Sequence, residues 1–283
     1  MELKEKLDGL LALSSKLDSD FATQLKKSIL QYAIQGKLVP QIDTEEPASV
    51  LLEKIQQEKQ KLVKEGKLKK KDLIESTIFK GDDNKYYEKV GNEITCIDDE
   101  LPFEIPDNWM WTTIGDLLQI QTGASFKKEE VNRNNVGVRI LRGGNIISGS
   151  YVFKDDDIFI NKDLVNESIL LRKNDLITPS VTSIENVGKI ARIIEDYDSV
   201  SAGGFVFIFR PFLQNDIISQ YLCFIIQTPA ITDKIKSITK KSGSAFYNIG
   251  KERLSKIYIP LPPIEEQRRI VEKITKINKG IEG

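Results

Sequence analysis

Hydrophobic side chains recur in a seven-residue rhythm at the start of the chain and predict one long helix over residues 2–35. The positions on this stripe are Leu3, Leu7, Leu10, Ser14, Leu17, Phe21 and Gln24. Gly36 and Pro40 follow at the spacing typical of a helix C-terminus. Such a helix either packs on its own domain or forms a coiled-coil arm, and its regularity favours the arm. The residues predicted to face a partner helix are Leu7, Leu10, Leu17 and Phe21.

A second amphipathic pattern lies near the end of the chain. Residues 256–259 predict a buried strand, and Pro262 and Pro263 end it because proline donates no backbone hydrogen bond. Glu265 and Glu266 favour a helix start there, since carboxylates stabilise the positive end of the helix dipole. An apolar stripe follows at helical spacing, and its members are Ile270, Ile274, Ile277 and Ile281. A stripe on a helix that leaves a domain needs a surface to cover it, which predicts a partner contact at Ile270, Ile274 and Ile277.

Short strand-like runs separated by Gly, Asn and Asp fill the stretch between these two helices. The predicted strands cover residues 138–141, 158–160, 175–178, 188–194, 205–210 and 256–259. Helical spacing returns at residues 216–227 and 231–239, so the body is predicted to be α+β, a mixed α/β domain with long coiled-coil-like helices at both ends.

These patterns divide the chain into successive regions. The predicted regions are an N-terminal helix (1–36), a connecting region with a short charged helix (37–100), the globular domain (101–262) and the start of a C-terminal helix (263–283). Within the connecting region, residues 79–87 and 98–100 are predicted to be extended or loose chain.

Composition narrows the classes of function. The chain of 283 residues contains no histidine, which removes the commonest general base and metal ligand and argues against hydrolases and metalloenzymes. Cys96 and Cys223 are far apart, which argues against a zinc motif or a disulfide framework and fits a reducing compartment. No phosphate-binding loop and no Asn-Pro-Pro-Tyr-like loop occurs, so no cofactor is predicted on this chain. The sequence shows neither a signal peptide nor an apolar membrane span, and we expect a cytoplasmic protein without a membrane partner.

Charge is unevenly distributed although the net charge is only −1. Residues 72–100 contain nine acidic residues and three lysines, whereas residues 234–256 contain seven basic residues and one acid. Residues 125–145 contain five basic and two acidic residues. The chain can therefore present one basic face to nucleic acid. The alternative is that these are ordinary solvated charges.

Three segments supply the side chains that bind phosphates and base edges, namely lysine, arginine, hydroxyl and amide groups. The candidate residues are Ser125, Lys127, Lys128, Arg139, Arg142 and Asn145 in the first segment, Thr178, Ser180, Thr182 and Ser183 in the second, and Lys240, Lys241, Ser242, Ser244, Tyr247 and Asn248 in the third. Lys127 and Lys128 are expected at phosphates, and Arg142, beside two glycines, at a guanine. The alternative for the second segment is a loop capped by its own hydroxyls.

Several stretches resemble the specificity subunits of type I restriction–modification systems. The run from Leu261 to Ile274, with its Pro-Pro, Gln, Arg-Arg and Ile-Val elements, resembles the hinge at which a target recognition domain ends and a spacer helix begins. Other stretches similar to that family are residues 25–41, 46–66, 102–111, 172–177 and 242–249.

The resemblance implies a non-catalytic subunit that recognises double-stranded DNA. In that family each recognition domain reads one half of a bipartite site, and the spacer helices fix the gap and dock methylation subunits. S-adenosylmethionine and ATP are then expected on partner subunits, namely the methylation subunits and a restriction (motor and nuclease) subunit. A full subunit contains two recognition domains and this chain contains one, so we expect a half-subunit or a truncated form. It is expected to pair through residues 2–35 and 264–281 with a second copy of itself or with another specificity half.

Two other classes of function stay open from the sequence. One is a non-enzymatic interaction scaffold whose domain binds a peptide or a glycan. The other is an enzyme fragment such as a nuclease or methyltransferase, whose motifs the sequence lacks.

Overall fold

Helices and strands occupy largely separate stretches of the chain, as expected for an α+β protein, which confirms the predicted fold class. A computed structural model describes residues 20–73, 76–132 and 134–282. Its helices are α1 (20–34), α2 (Ala48–Lys64), α3 (Ile114–Leu117), α4 (Asp216–Ile225), α5 (Pro229–Ser237), α6 (Lys251–Ser255) and α7 (Ile264–Glu282). Its strands are β1 (Ser76–Lys80), β2 (Tyr86–Val90), β3 (Glu93–Cys96), β4 (Met110–Thr113), β5 (Leu118–Thr122), β6 (Val138–Leu141), β7 (Ile146–Ile147), β8 (Ser150–Tyr151), β9 (Ile158–Ile160), β10 (Leu176–Pro179), β11 (Val181–Thr182), β12 (Ala191–Arg192), β13 (Val200–Ala202), β14 (Val206–Pro211), β15 (Lys240–Ser242), β16 (Phe246–Asn248) and β17 (Tyr258–Leu261).

The body is built around a four-stranded antiparallel sheet in the order β12-β10-β14-β5. Successive residues of a strand point to opposite faces, and both faces of this sheet are apolar. Leu176 and Phe209 enter the main hydrophobic core, whereas Ile177 and Ile208 enter a second core on the other face. The sheet β13-β6-β9 contributes Leu141 to that second core and contains the parallel pair β13–β6.

The start and the end of the body lie side by side. Strand β17 pairs antiparallel with β4, so Tyr258 lies opposite Thr113 and Leu261 opposite Met110. Strand β17 ends directly before Pro262 and Pro263, and α7 begins at the next residue, as the sequence predicts.

The first part of the apolar stripe of α7 is covered by the chain itself, which corrects the prediction of a partner contact at Ile270 and Ile274. Ile270 and Ile274 are fully buried in the main core, where α7 packs on α4. Ile277 is half-buried against the same core. The physical reason is that α4 has an apolar face of its own, which includes Leu222 and Ile218.

Helix α1 packs on the body at its C-terminal end and is exposed farther back. Ile29, Ala33 and Ile34 are buried in the main core, whereas the side chain of Phe21 is 70% exposed. Leu7, Leu10 and Leu17 lie outside the described residues.

The connecting region is more regular than the sequence predicts. Residues 79–87, predicted to be extended or loose chain, contribute to the antiparallel sheet β1-β2-β3, and residues 98–100 form a short 3-10 turn. Ile78 and Ile97 are buried against Trp111, and the rings of Phe79 and Tyr87 stack with centroids 5.9 Å apart. One buried face is therefore enough to fix these strands, even though the other face is charged.

No helix in the described part of the chain is long and apolar enough to cross a lipid bilayer.

Candidate nucleic-acid interface

The second and third candidate segments meet in one small antiparallel sheet, β11-β16-β15. Strand β16 lies in the middle, with Asn248 opposite Val181 on one side and Lys240 on the other. The amide of Ile249 donates to the carbonyl of Ser180 over 2.9 Å and continues the ladder. Residues 180–182 and 240–248 are distant in sequence, and this pairing brings their polar side chains together.

The first segment reaches the same place through the turn between β13 and β14. The amide of Ala124 donates to the carbonyl of Ala202 over 2.7 Å, which places Ser125 beside this turn. On the far side of the turn, the amide of Ser180 donates to the carbonyl of Phe205 over 2.8 Å. Ser125, the turn at 203–206 and the sheet β11-β16-β15 are therefore neighbours, and together we term them the candidate surface.

The hairpin β15–β16 carries exposed cations. Its turn includes Gly243 in a left-handed conformation (φ 71°), which reverses the chain sharply. Lys240 and Lys241 on β15 are exposed, as are Lys127 and Lys128, which follow Ser125 in the chain. The ion pairs formed within the described parts of the chain do not include these four lysines.

Several other predicted residues also lie on or next to the surface. Ser125, Ser242, Ser244 and Asn248 are exposed, and Tyr247 and Ser183 are half-buried. Ser180 and Thr182 are buried, with 6% and 9% of their surface exposed, which corrects the prediction that their hydroxyls face a ligand. The hydroxyl of Ser183 accepts a hydrogen bond from Asn186 over 2.8 Å, as expected for a loop that caps itself.

Two predicted residues point into the protein, and this corrects their proposed role. Asn145 is 1% exposed, and its amide nitrogen donates to Asp157 (2.6 Å) and to the carbonyl of Val152 (3.0 Å). Thr178 is buried, and its hydroxyl donates to the carbonyl of Lys189 over 2.8 Å. Both side chains stabilise their own loops because their hydrogen bonds are already made.

The two arginines of the first segment are held by acidic neighbours. Arg139 pairs with the buried Asp157 over 3.1 Å, and its guanidinium lies 4.6 Å from the ring centre of Phe153. Arg142 pairs with the exposed Asp156 over 3.2 Å and is itself half-exposed. Arg139 is therefore fixed in place, whereas Arg142 can exchange a solvent-exposed partner for a ligand.

Sequence reasoning missed the most exposed aromatic residue of this region. The side chain of Phe205 is 73% exposed, and that of Phe246 on β16 is 56% exposed. Gly203 and Gly204, which precede Phe205, were the available sequence signal, because paired glycines mark a tight turn.

The described residues contain no group of three or more His, Cys, Asp or Glu side chains arranged to hold a metal ion. Burial raises the pKa of the Cys223 thiol to about 12, so this thiol stays protonated and is a poor nucleophile at neutral pH.

The fold and the candidate surface thus define an α+β protein with one basic face that carries exposed hydroxyl groups. The chain belongs to the family described as type I restriction modification DNA specificity domain, whose family model matches residues 106–283.

Two curated relatives from Escherichia coli are similar over nearly the whole chain. The type I restriction enzyme EcoAI specificity subunit is 31% identical over 97% of this chain and 44% of its own length. The type I restriction enzyme EcoEI specificity subunit is 26% identical over 96% of this chain and 43% of its own length. The chain therefore spans less than half the length of these relatives.

A solved structure is also similar, the crystal structure of the HsdS subunit from Thermoanaerobacter tengcongensis. The similarity covers 64% of this chain and 40% of that chain, with 21% sequence identity and a TM-score of 0.45.

Proposed function

We propose that this chain recognises a double-stranded DNA sequence within a type I restriction–modification complex. The observation that carries the proposal is the sheet β11-β16-β15, which brings exposed lysines, hydroxyls and an amide together. Lys240 and Lys241 are suited to contacts with phosphates, whereas Asn248 and Ser125 are suited to hydrogen bonds with base edges. Family membership supports the same conclusion.

Within this proposal, residues 101–262 act as a target recognition domain that reads one half of a bipartite site. Residues 1–36 and 263–283 are parts of spacer helices that dock methylation subunits. The chain performs no chemistry, and S-adenosylmethionine and ATP bind on partner subunits, including a restriction subunit. Support for the non-catalytic role comes from the binding chemistry of the candidate surface.

A second copy of the chain, or another specificity half, recognises the other half of the bipartite site. The surface proposed for this contact is the exposed part of α1, which carries Phe21 and Leu25. Ile270 and Ile274 are left out of it because α4 covers them. A two-fold pair reads a palindromic, interrupted sequence, since the symmetry of the protein is repeated in its site.

The proposal is tested by co-expressing the chain with its methylation subunits and mapping the modified adenines in genomic DNA. We expect one interrupted motif whose two halves are inverted repeats. A motif with unrelated halves contradicts pairing of identical copies, and a complex that neither modifies nor binds DNA contradicts the function itself.

The interaction-scaffold alternative makes a different prediction about salt. DNA binding through phosphate contacts weakens steeply as salt concentration rises, because each contact releases counterions. This loss of DNA affinity is large between about 50 and 200 mM salt. A DNA affinity that does not change over that range favours the scaffold.

A further inference from the structure

Phe205 is presented to solvent by a rigid turn. Its own carbonyl accepts from Ser180 over 2.8 Å, and the next residue, Val206, donates to Gly203 over 2.8 Å. Val206 also accepts from the amide of Gly123 over 3.0 Å. The backbone on both sides of Phe205 is therefore fixed by hydrogen bonds to neighbouring strands.

The chain segments beneath the turn are packed as closely as backbones allow. A Cβ atom at Gly123 would lie 2.2 Å from the carbonyl oxygen of Ala202, and one at Gly204 would lie 3.0 Å from the hydroxyl of Ser125. These glycines let the first candidate segment lie directly against the turn. The ring of Phe205 thus projects from a tightly built base.

The outward position of Phe205 contrasts with the residues that follow it. Val206, Phe207 and Phe209 are all buried, and the rings of Phe207 and Phe209 stack in the main core. The strand therefore has inward sites for phenylalanine, yet Phe205, directly before it, is 73% exposed and its carbonyl is bonded to Ser180. An apolar ring on a fixed backbone, next to the polar candidate surface, is suited to an apolar group on the ligand.

Duplex DNA offers one such group in the major groove, the C5-methyl of thymine, and phenylalanine is among the side chains that contact it. We propose that Phe205 contacts the C5-methyl group of a thymine in the half-site and so specifies an A·T pair there, an inference that rests on the function proposed above. The neighbouring hydroxyl of Ser125 is exposed and is placed for the polar edges beside it.

The experiment replaces each thymine of the mapped half-site by deoxyuridine, which removes only the methyl group. DNA affinity is measured for the whole complex with methylation subunits, once with the natural chain and once with Phe205→Ala. At one thymine we expect the natural complex to lose about fourfold in affinity, the value of one buried methyl group. The Phe205→Ala complex is weaker on the natural site by at least as much, and is indifferent to deoxyuridine at that position.

Two further variants separate this role from a loss of folding. Phe205→Leu keeps an apolar side chain and retains part of the sensitivity to deoxyuridine. Ile94→Ala removes another exposed apolar side chain, 58% exposed on strand β3, and leaves the deoxyuridine profile unchanged.

The inference is overturned by a half-site without any A·T pair, by a natural complex that tolerates deoxyuridine everywhere, or by a Phe205→Ala complex with an unchanged profile. In each of these cases the natural complex still binds its site, so the proposed function stands. A natural complex that binds no sequence preferentially overturns the proposed function, and this inference with it.

Discussion

Asp175 shows how a single buried charge organises the body. Its two carboxylate oxygens accept from the guanidinium of Arg210 over 2.8 and 2.6 Å, and one also accepts from the amide of Arg172. Arg210 in turn donates to the carbonyls of Ser168 and Leu170. Asp175 thereby ties two loops to the central sheet from a position without solvent access.

Replacing Asp175 by Asn leaves the guanidinium of Arg210 without its countercharge. We expect Asp175→Asn to lower the free energy of unfolding by about 3–5 kcal/mol, the usual cost of breaking a buried ion pair. Urea unfolding followed by circular dichroism measures this change.

The matched control is Asp233→Asn, which breaks an exposed pair with Lys236 on α5. It should cost less than about 1 kcal/mol. Equal losses for the two variants contradict the assigned role of Asp175.

Glu266 is a second buried carboxylate, and it predicts a pH dependence of stability. It accepts from Trp109 over 2.8 Å and from Gln41 over 2.6 Å. Burial raises the pKa of Glu266 above its ordinary value of 4.5. The folded state therefore binds more protons than the unfolded state between these two pKa values, and the free energy of unfolding falls as pH rises through that interval.

Glu266→Gln removes this titration, so its free energy of unfolding should fall less than that of the natural chain as pH rises from about 4.5 towards neutrality. Urea unfolding at a series of pH values measures the difference. Glu265→Gln, at the exposed neighbour in the same turn, should retain the natural pH dependence. Identical curves for Glu266→Gln and the natural chain show the idea to be wrong.

At the scale of elements, the hairpin β15–β16 is the part of the candidate surface with the clearest electrostatic role. Lys240 and Lys241 are exposed at its edge strand. The double substitution Lys240→Gln and Lys241→Gln should weaken DNA binding at all sequences without changing the preferred site.

The salt dependence of affinity gives this prediction its magnitude. Each phosphate contact contributes about 0.9 to the magnitude of the slope of log affinity against log salt concentration. The magnitude of this slope should therefore be about 1.8 lower for the double variant. The control pair is Lys85→Gln and Lys89→Gln, which changes charge equally in the acidic connecting region. An equal loss of slope in the control indicates an effect of net charge rather than contact.

Sequence patterns located elements well where one local property determined them. Strands β6 and β9 coincide with short apolar runs bounded by Gly137, Arg142, Asp157 and Asn161. The helix start after Pro263 follows from the two prolines and the two glutamates behind them. The sheet β1-β2-β3 was not predicted as a sheet because most of its residues are polar or charged. Its buried face has few residues, such as Ile78, and these give too weak an apolar pattern.

The candidate surface was harder to predict because it depends on contacts between distant segments. The pairing of Thr182 with Tyr247 joins residues far apart in sequence, and no local pattern specifies it. Asn145 was assigned to DNA from its residue type, although Asp157 determines its orientation. Phe205 was missed because a hydrophobic residue is predicted to be buried, and no local pattern indicates that this ring is exposed to solvent.

At the scale of the whole molecule, the loop that joins α1 to α2 is held against α7. Arg269 of α7 forms an ion pair with Glu45 and donates to the carbonyl of Pro40 over 3.2 Å. Gln41 reaches Glu266 of the same helix. We term these contacts the clamp, and they tie the loop after α1 to the first turns of α7.

The exposed and buried parts of the helices should respond differently to substitution. Phe21→Ser should leave the unfolding free energy within about 0.5 kcal/mol of the natural value, because the side chain is exposed, and should weaken self-association. Ile274→Ala should instead cost about 2–5 kcal/mol of stability through the cavity that it leaves.

Sedimentation velocity and urea unfolding of both variants measure the two effects. A Phe21→Ser chain that associates as strongly as the natural chain contradicts the proposed contact on α1. An Ile274→Ala chain of natural stability contradicts the packing of α7 on α4.

The clamp has a spectroscopic consequence. The chain contains two tryptophans. Trp109 donates to Glu266 of α7, whereas Trp111 is buried with Ile78 and Ile97, its ring 5.4 Å from that of Phe103. Intrinsic tryptophan emission therefore reports the seating of α7 through Trp109 and the packing of the sheet β1-β2-β3 through Trp111. A red shift on urea addition that precedes the loss of circular dichroism marks loosening of α7 or of that sheet before the body melts, and coincident curves mark one cooperative unit.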